Sequence, residues 1–519
     1  MNIKRFISIV CFVVCFFFFQ DPTTHVLGFP SVDLLDTVTL RGLFVQQLTG
    51  SEPALFWPVG YNWSLLMPNR LDHISFLPFA FLPFPLADNL WWFTILMCQA
   101  LTSHRLGRYV GRTELSGWAT MIFWLFSEST LREVNLHHAP QSSLFLLPLL
   151  LEFCLRFQSE NGEKKRKYVI IISIIVSITT LTYYYSFPFI LILLAILLFK
   201  KPKYLLTISI ISICIFLPEL LFWVSKNPPL INKSKDVHFI FHWHHLYTKS
   251  PIDKSIGLSI AAFYAMFHLR NPFPFKNQFI FGSLFFLIVI AFWEPLSQIH
   301  PLFERFHWPE RISIFVTLCI LPIFASLRNN HYFIPIIILE SISFSGNYPL
   351  QWTSIKNEIC LRELSNVTGS VLAFPLVYRD SNLTGLHHRI HGRPMINPMV
   401  LPIGSPQDWN SWMSQNSIIG SLEIMKHPIS KQETQFQKIG LDAIYLMDGG
   451  LSPLVPEEDL IRLHGILGPS IDIGCAHVWW YSKDYPPPSA IDGQVYRQAT
   501  YIESIKHPLF MKPIFLVDQ

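Results

Sequence analysis

The sequence predicts a polytopic α-helical membrane protein of about eleven spans, carrying a C-terminal α/β or α+β domain outside the membrane. Three features point there: apolar content too high for one soluble core, basic loops that alternate along the chain, and a change of texture near residue 345. Of 519 residues, 51% are hydrophobic and only 14% charged, with a mean hydropathy of +0.36. That is more apolar surface than a single soluble core buries. The net charge of +4 is small, and its Lys and Arg residues are scattered over short loops, which leaves nucleic-acid binding without support.

Apolar segments run at about 7–20, 75–99, 116–128, 142–155, 168–185, 187–199, 204–224, 256–269, 279–293, 312–326 and 332–344. Several are shorter than the ~20 residues of a perpendicular span. Between them lie Lys4 and Arg5, then Arg105, Arg108 and Arg112, then "EKKRK" at 163–167, "KKPK" at 200–203, Arg270 with Lys276, and Arg328. The positive-inside rule makes these loops cytoplasmic. The N-terminus is then inside a plasma (inner) membrane, and 21–74, 129–141, 225–255, 294–311 and everything after 345 lie outside. The first segment reads as a retained anchor, because "FFFFQDPTT" offers no pair of small residues for a signal peptidase.

The expected division is therefore a membrane part, 1–344, and an outer domain, 345–519. In the latter, "GSVLAFPLVY", "LDAIYLMD" and "AHVWWYS" read as buried strands, and "EEDLIRLHGILG" as a helix ending at a glycine. Cys11, Cys15, Cys98, Cys154, Cys214 and Cys319 fall in apolar segments and read as small core residues. Cys360 and Cys475, the two thiols outside those segments, could pair in an oxidising compartment.

A resemblance emerges from four stretches in order: "GFPSVDLLDTV" behind the first anchor, "FWPVGYNWSLLMPNRLDHISFLPFAFLPFPLADNLWW", "LREVNLHHAPQSSLFLLPLLLEFCLR" and "FERFHWPERISIF". Together they are similar to the GT-C class of bacterial membrane glycosyltransferases, including relatives similar to YfhO-type membrane proteins. The resemblance implies a polyprenyl-phosphate-linked sugar donor, a catalytic acid in the first outer loop and inverting transfer on the outer face. A hydroxyl that attacks a sugar carbon needs a base to take its proton as the lipid phosphate leaves. Asp33 matches that position best, with Asp36 three residues on, on the same helical face. The alternative is that "PSVD" caps an amphipathic helix, with Ser31 as the cap and Asp33 in its first turn.

The second outer loop offers Arg132, Glu133, His137 and His138. Related enzymes place a second acid here, so Glu133 joins the catalytic candidates, while Arg132 or a histidine could hold a donor phosphate. One Glu and two histidines stand where an Asp-x-Asp pair would signal a metal, so a divalent cation stays an open alternative. A solvated loop at the headgroups is the competing reading. In 225–255, His238, His242, His244 and His245 stand among aromatics, which fits a membrane interface better than a metal site. Arg311, after Glu304, Arg305, His307 and Glu310, could bind a lipid phosphate or anchor a helix end.

Two other classes remain: a lipid or solute transporter, and an inactive GT-C-like scaffold in envelope glycan assembly. A transporter should carry ionisable residues deep in its spans. The clearest here, Glu152 and Glu219, lie near span ends, whereas acids concentrate in the outer loops.

Overall fold

The structure, a computed structural model, describes residues 3–28, 37–43, 74–137, 145–160, 163–183, 186–225, 258–268, 273–293, 309–344, 348–366, 369–374, 383–397, 436–452 and 454–484, with a few isolated residues besides. A helical body is followed by a C-terminal α/β part. In chain order the body holds α1 (Ile3–Phe17), strand β1 (His25–Leu27), the short helix α2 (37–43), α3 (Leu86–Gly111), α4 (Glu114–Leu125) and α5 (Glu128–Asn135). Then come α6 (Leu146–Ser159), α7 (Glu163–Thr182), α8 (Phe187–Leu198), α9 (Pro202–Ser225), α10 (Ile260–Phe267), α11 (Lys276–Ala291), α12 (Ser313–Ala325) and α13 (Ile334–Phe344).

Local chemistry sets the helix boundaries. Thr113 caps α4 by accepting the Ser116 N–H at 3.0 Å, and Ser259 caps α10 by accepting that of Ala262 at 3.1 Å. Every residue of α12 is buried, as expected of a helix apolar all round, and it packs against α3, α4, α10 and α11.

The expected spans fare differently. Among the described residues, no helix is long and apolar enough to cross a membrane. Two of the apolar runs form short helices: α8 has 12 residues and α12 has 13, about 18–20 Å at 1.5 Å per residue. The expected span at 75–99 begins as a short helical stretch over 74–79 followed by turns, and Pro83 and Pro85 delay the long helix until Leu86. The outer faces are nonetheless apolar: Leu206 and Ile210 on α9, Phe281 and Ile288 on α11, and Leu339 on α13 are all exposed. Cys11, Cys15 and Cys214 are exposed too, which corrects their reading as core residues; only Cys154 and Cys319 among the six thiols are buried.

Acids and bases gather at one end of the body. Glu114 receives Arg5 at 2.5 Å, Arg108 at 3.0 Å and His104 at 3.1 Å. Buried Glu152 receives Arg105 and Arg156, each at 2.7 Å. The opposite end is closed by β1, which pairs antiparallel with β2 (Trp352–Ser354) in the register His25 to Ser354.

Beyond β2 lie β3 (Ser370–Ala373), α14 (Leu383–His391), β4 (Leu441–Met447), α15 (Glu457–Leu467), β5 (Ile471–Asp472) and β6 (Ala476–Trp480). The sheet order is β3-β4-β6-β5, with β3 and β4 parallel and the other pairs antiparallel. Alternation along β4 separates two cores. Ala443, Tyr445 and Met447 face Leu361 and Leu364, whereas Ile444 and Leu446 face Leu463 and Leu467 of α15. Both faces are covered by helices, which makes the sheet a three-layer α/β arrangement. The three expected strands and the expected helix are present, and Gly468 closes α15 with φ +85°. Cys360 and Cys475 form a disulfide, their Cα atoms 6.2 Å apart.

Candidate functional site

The end of the body opposite the basic cluster holds a dense set of buried polar side chains. Its centre is His137, which follows α5 and takes a left-handed backbone with φ +57°. Its Nδ1–H donates to the Leu27 carbonyl at 2.8 Å, leaving Nε2 to accept the Trp92 indole N–H at 3.0 Å. The Thr37 hydroxyl donates to the His137 carbonyl at 3.2 Å. Asn89, in the first turn of α3, accepts the Leu27 N–H at 2.9 Å and donates to the carbonyls of Pro22 and His25. Asn135 accepts the Gln351 N–H at 2.8 Å, and the Gln351 carbonyl accepts the Gly28 N–H at 2.9 Å. Gly28 and Thr37, the residues that flank 29–36, are thus both held beside α5 and His137.

Arg132 and Glu133 form a buried ion pair at 2.8 Å on α5. Arg311 lies in the turn Pro309–Ile312 ahead of α12, whose Thr317 meets Ser129 of α5 at 3.5 Å. Of the residues singled out in the sequence, Arg132, Glu133 and His137 therefore share one short buried segment. Asp33, Asp36 and His138 lie outside the described residues, as do the histidines of 225–255 and Glu304, Arg305 and His307. Among the described residues no group of three His, Cys, Asp or Glu side chains could hold a metal ion.

Three residues that the sequence reading passed over stand beside this set. Asp88, fully buried in the first turn of α3, lies 3.6 Å from Arg41 of α2 and 3.2 Å from Arg389 of α14. Arg41 is itself fully buried, its guanidinium 3.6 Å from the centre of the Trp91 ring. Aromatic faces here replace part of the water that a guanidinium loses on burial. A signal for Asp88 existed: it is an acid inside the apolar run 75–99.

The arrangement is that of a helical body whose one end, capped by an α/β part, gathers buried charges around the first loop. Solved structures similar to it include two oligosaccharyltransferase structures and ArnT, each at a TM-score below 0.5. One is the archaeal oligosaccharyltransferase AglB of Archaeoglobus fulgidus in complex with an inhibitory peptide and a dolichol-phosphate, at TM-score 0.47 and 11% identity, covering 86% of this chain and 69% of that one. Another A. fulgidus oligosaccharyltransferase structure, with Zn and sulfate, gives TM-score 0.45 and 11% identity over 89% and 70%. ArnT of Cupriavidus metallidurans bound to undecaprenyl phosphate gives 0.42 and 9% identity over 94% and 99%. At TM-scores this low no residue's role is carried across. No protein-family model matches this sequence, and neither does any curated protein.

Proposed function

We propose that this chain is an integral membrane glycosyltransferase that moves a sugar from a polyprenyl-phosphate-linked donor to an extracytoplasmic acceptor with inversion, and that Asp33 is the base. The observation that carries this reading is the anchoring of both flanks of 29–36, Gly28 through Gln351 and Thr37 through His137. Fixed flanks favour this reading, because much of the rate advantage of a catalytic group comes from its being positioned. Arg132, paired with Glu133, is the nearby guanidinium for a donor phosphate.

Membrane placement is supported by the exposed apolar faces of α9, α11 and α13, which water would penalise. We place the Arg108 end in the cytoplasm and the His137 end outside.

The test is transfer from a polyprenyl-phosphate donor by an Asp33→Asn protein that inserts and folds normally. Loss of general-base catalysis should lower the rate ~10²–10⁴-fold. Near-wild-type transfer would remove Asp33 from the role.

A further inference from the structure

We propose that Arg389 is a positioning residue through which the C-terminal α/β part fixes α2, the helix that follows Asp33 and Asp36 in the sequence. Its guanidinium donates to the Val38 carbonyl of α2 at 2.9 Å and to the Asp88 carboxylate of α3 at 3.2 Å. One side chain therefore ties three elements together. Its carbon stem lies over Gly42, where an added Cβ would collide with Arg389 Cδ. On the other side of the contact, a Cβ on Gly385 of α14 would collide with the Thr39 side chain. Two glycines, one on each helix, let α2 and α14 approach this closely.

The contact is more than a surface touch. Leu43, at the end of α2, is buried in the same core as Leu361, Val371 and Tyr445, so α2 forms part of one face of the sheet. Val38 packs with Leu386 of α14, Leu451, Ile355, Phe84 and Val26 of β1. Arg389 itself is 12% exposed and lies over the rings of Phe84 and Phe76, at 5.2 and 5.6 Å. A fork-shaped guanidinium suits this place because it can bond a carbonyl and a carboxylate at once, which a point-like ammonium does poorly. The inference rests on the transferase reading for its consequence: the α/β part sets the position of α2 and is not an appended module.

The experiment is hydrogen exchange on the full chain in detergent micelles, comparing wild type with Arg389→Ala and Arg389→Lys. Loss of buried charge-assisted bonds should raise exchange across 37–43 about 10- to 100-fold in Arg389→Ala, and less in Arg389→Lys. Exchange in β4 and α12 should stay at the wild-type level. If Arg389→Ala does not fold, Arg389→Lys and Gly385→Ala, which wedges α14 off Thr39 without touching a charge, carry the same expectation. Unchanged exchange in 37–43, or a rise shared equally by β4 and α12, overturns the proposal. In the transfer assay Arg389→Lys should lower kcat with little change in KM, and a wild-type kcat beside a loosened α2 likewise overturns it. The exchange measurement needs no sugar donor, so an Asp33→Asn protein that keeps full transfer would remove the proposed base while leaving the exchange result to stand or fall alone.

Discussion

Buried Glu358 should make the stability of the α/β part fall as pH rises, and Glu358→Gln should remove that contribution. The carboxyl is fully buried two residues before Cys360, and its Oε1 accepts the Leu451 N–H at 2.6 Å. Burial pushes its pKa up from an ordinary 4.5 to about 7, with backbone hydrogen bonds from Leu451 and from Glu358 itself pulling the other way. A folded-state pKa above the unfolded one means that its stability contribution is intact below pH 4.5 and is lost as pH rises through about 7. At 1.36 kcal/mol per pH unit the loss is about 3 kcal/mol, most of which develops between pH 5 and pH 8. Glutamine keeps the acceptor for Leu451 and stands in for the protonated acid, so the variant should match wild type near pH 5 and exceed it at pH 8. In thermal unfolding of the full chain in detergent, the midpoint difference between the two proteins should widen by about 5–10 °C over that interval. His387 and His388, held by burial down to about 3 and about 4, act in the opposite sense. Their contribution is present above pH 6.5 and is lost as pH falls, but it is common to both proteins and cancels in the difference. A midpoint difference that does not change with pH would refute the reasoning.

The Cys360–Cys475 disulfide closes a loop with a sequence separation of 115 residues, so replacing both cysteines by serine should cost about 2–5 kcal/mol; finding two free thiols by mass spectrometry of protein purified without reductant would contradict the pairing. Lys165→Cys should react with an impermeant thiol reagent only after the membrane is opened, and Val400→Cys in intact cells, each in a background without exposed native thiols. The reverse pattern would invert the orientation and with it the outer site.

Helix positions were largely legible, because an apolar run of a dozen residues bounded by charged or turn-forming neighbours has few other solutions. The strands at 441–447 and 476–480 were legible for the same reason, their alternate residues serving two separate cores. Crossing helices were not. Summed hydropathy over 75–99 does not register that Pro83 and Pro85 postpone the long helix to Leu86. Nor does an all-apolar helix state which face looks outward, which is why the exposure of Cys11, Cys15 and Cys214 is not legible in their apolar stretches.

Asp88 shows where sequence reasoning reaches its limit for the site. A carboxylate inside an apolar run must find partners, since leaving it unpaired and dry costs several kcal/mol, so the need for a cation was readable. The identity of that cation was not. Arg41 is 47 positions away, and Arg389 lies at a separation of 301; nothing in the local pattern of "GLHHRIHG" distinguishes Arg389 from the other arginines of the outer part. What marks it is the pair of glycines, Gly42 and Gly385, that leave room for its stem and for the close crossing of α2 and α14. Each is ordinary in its own stretch, and the two acquire a common meaning only once the helices are packed. If α2 and α14 are two halves of one steric fit, Gly42→Ala and Gly385→Ala should each weaken the Arg389–Asp88 contact without altering any charge.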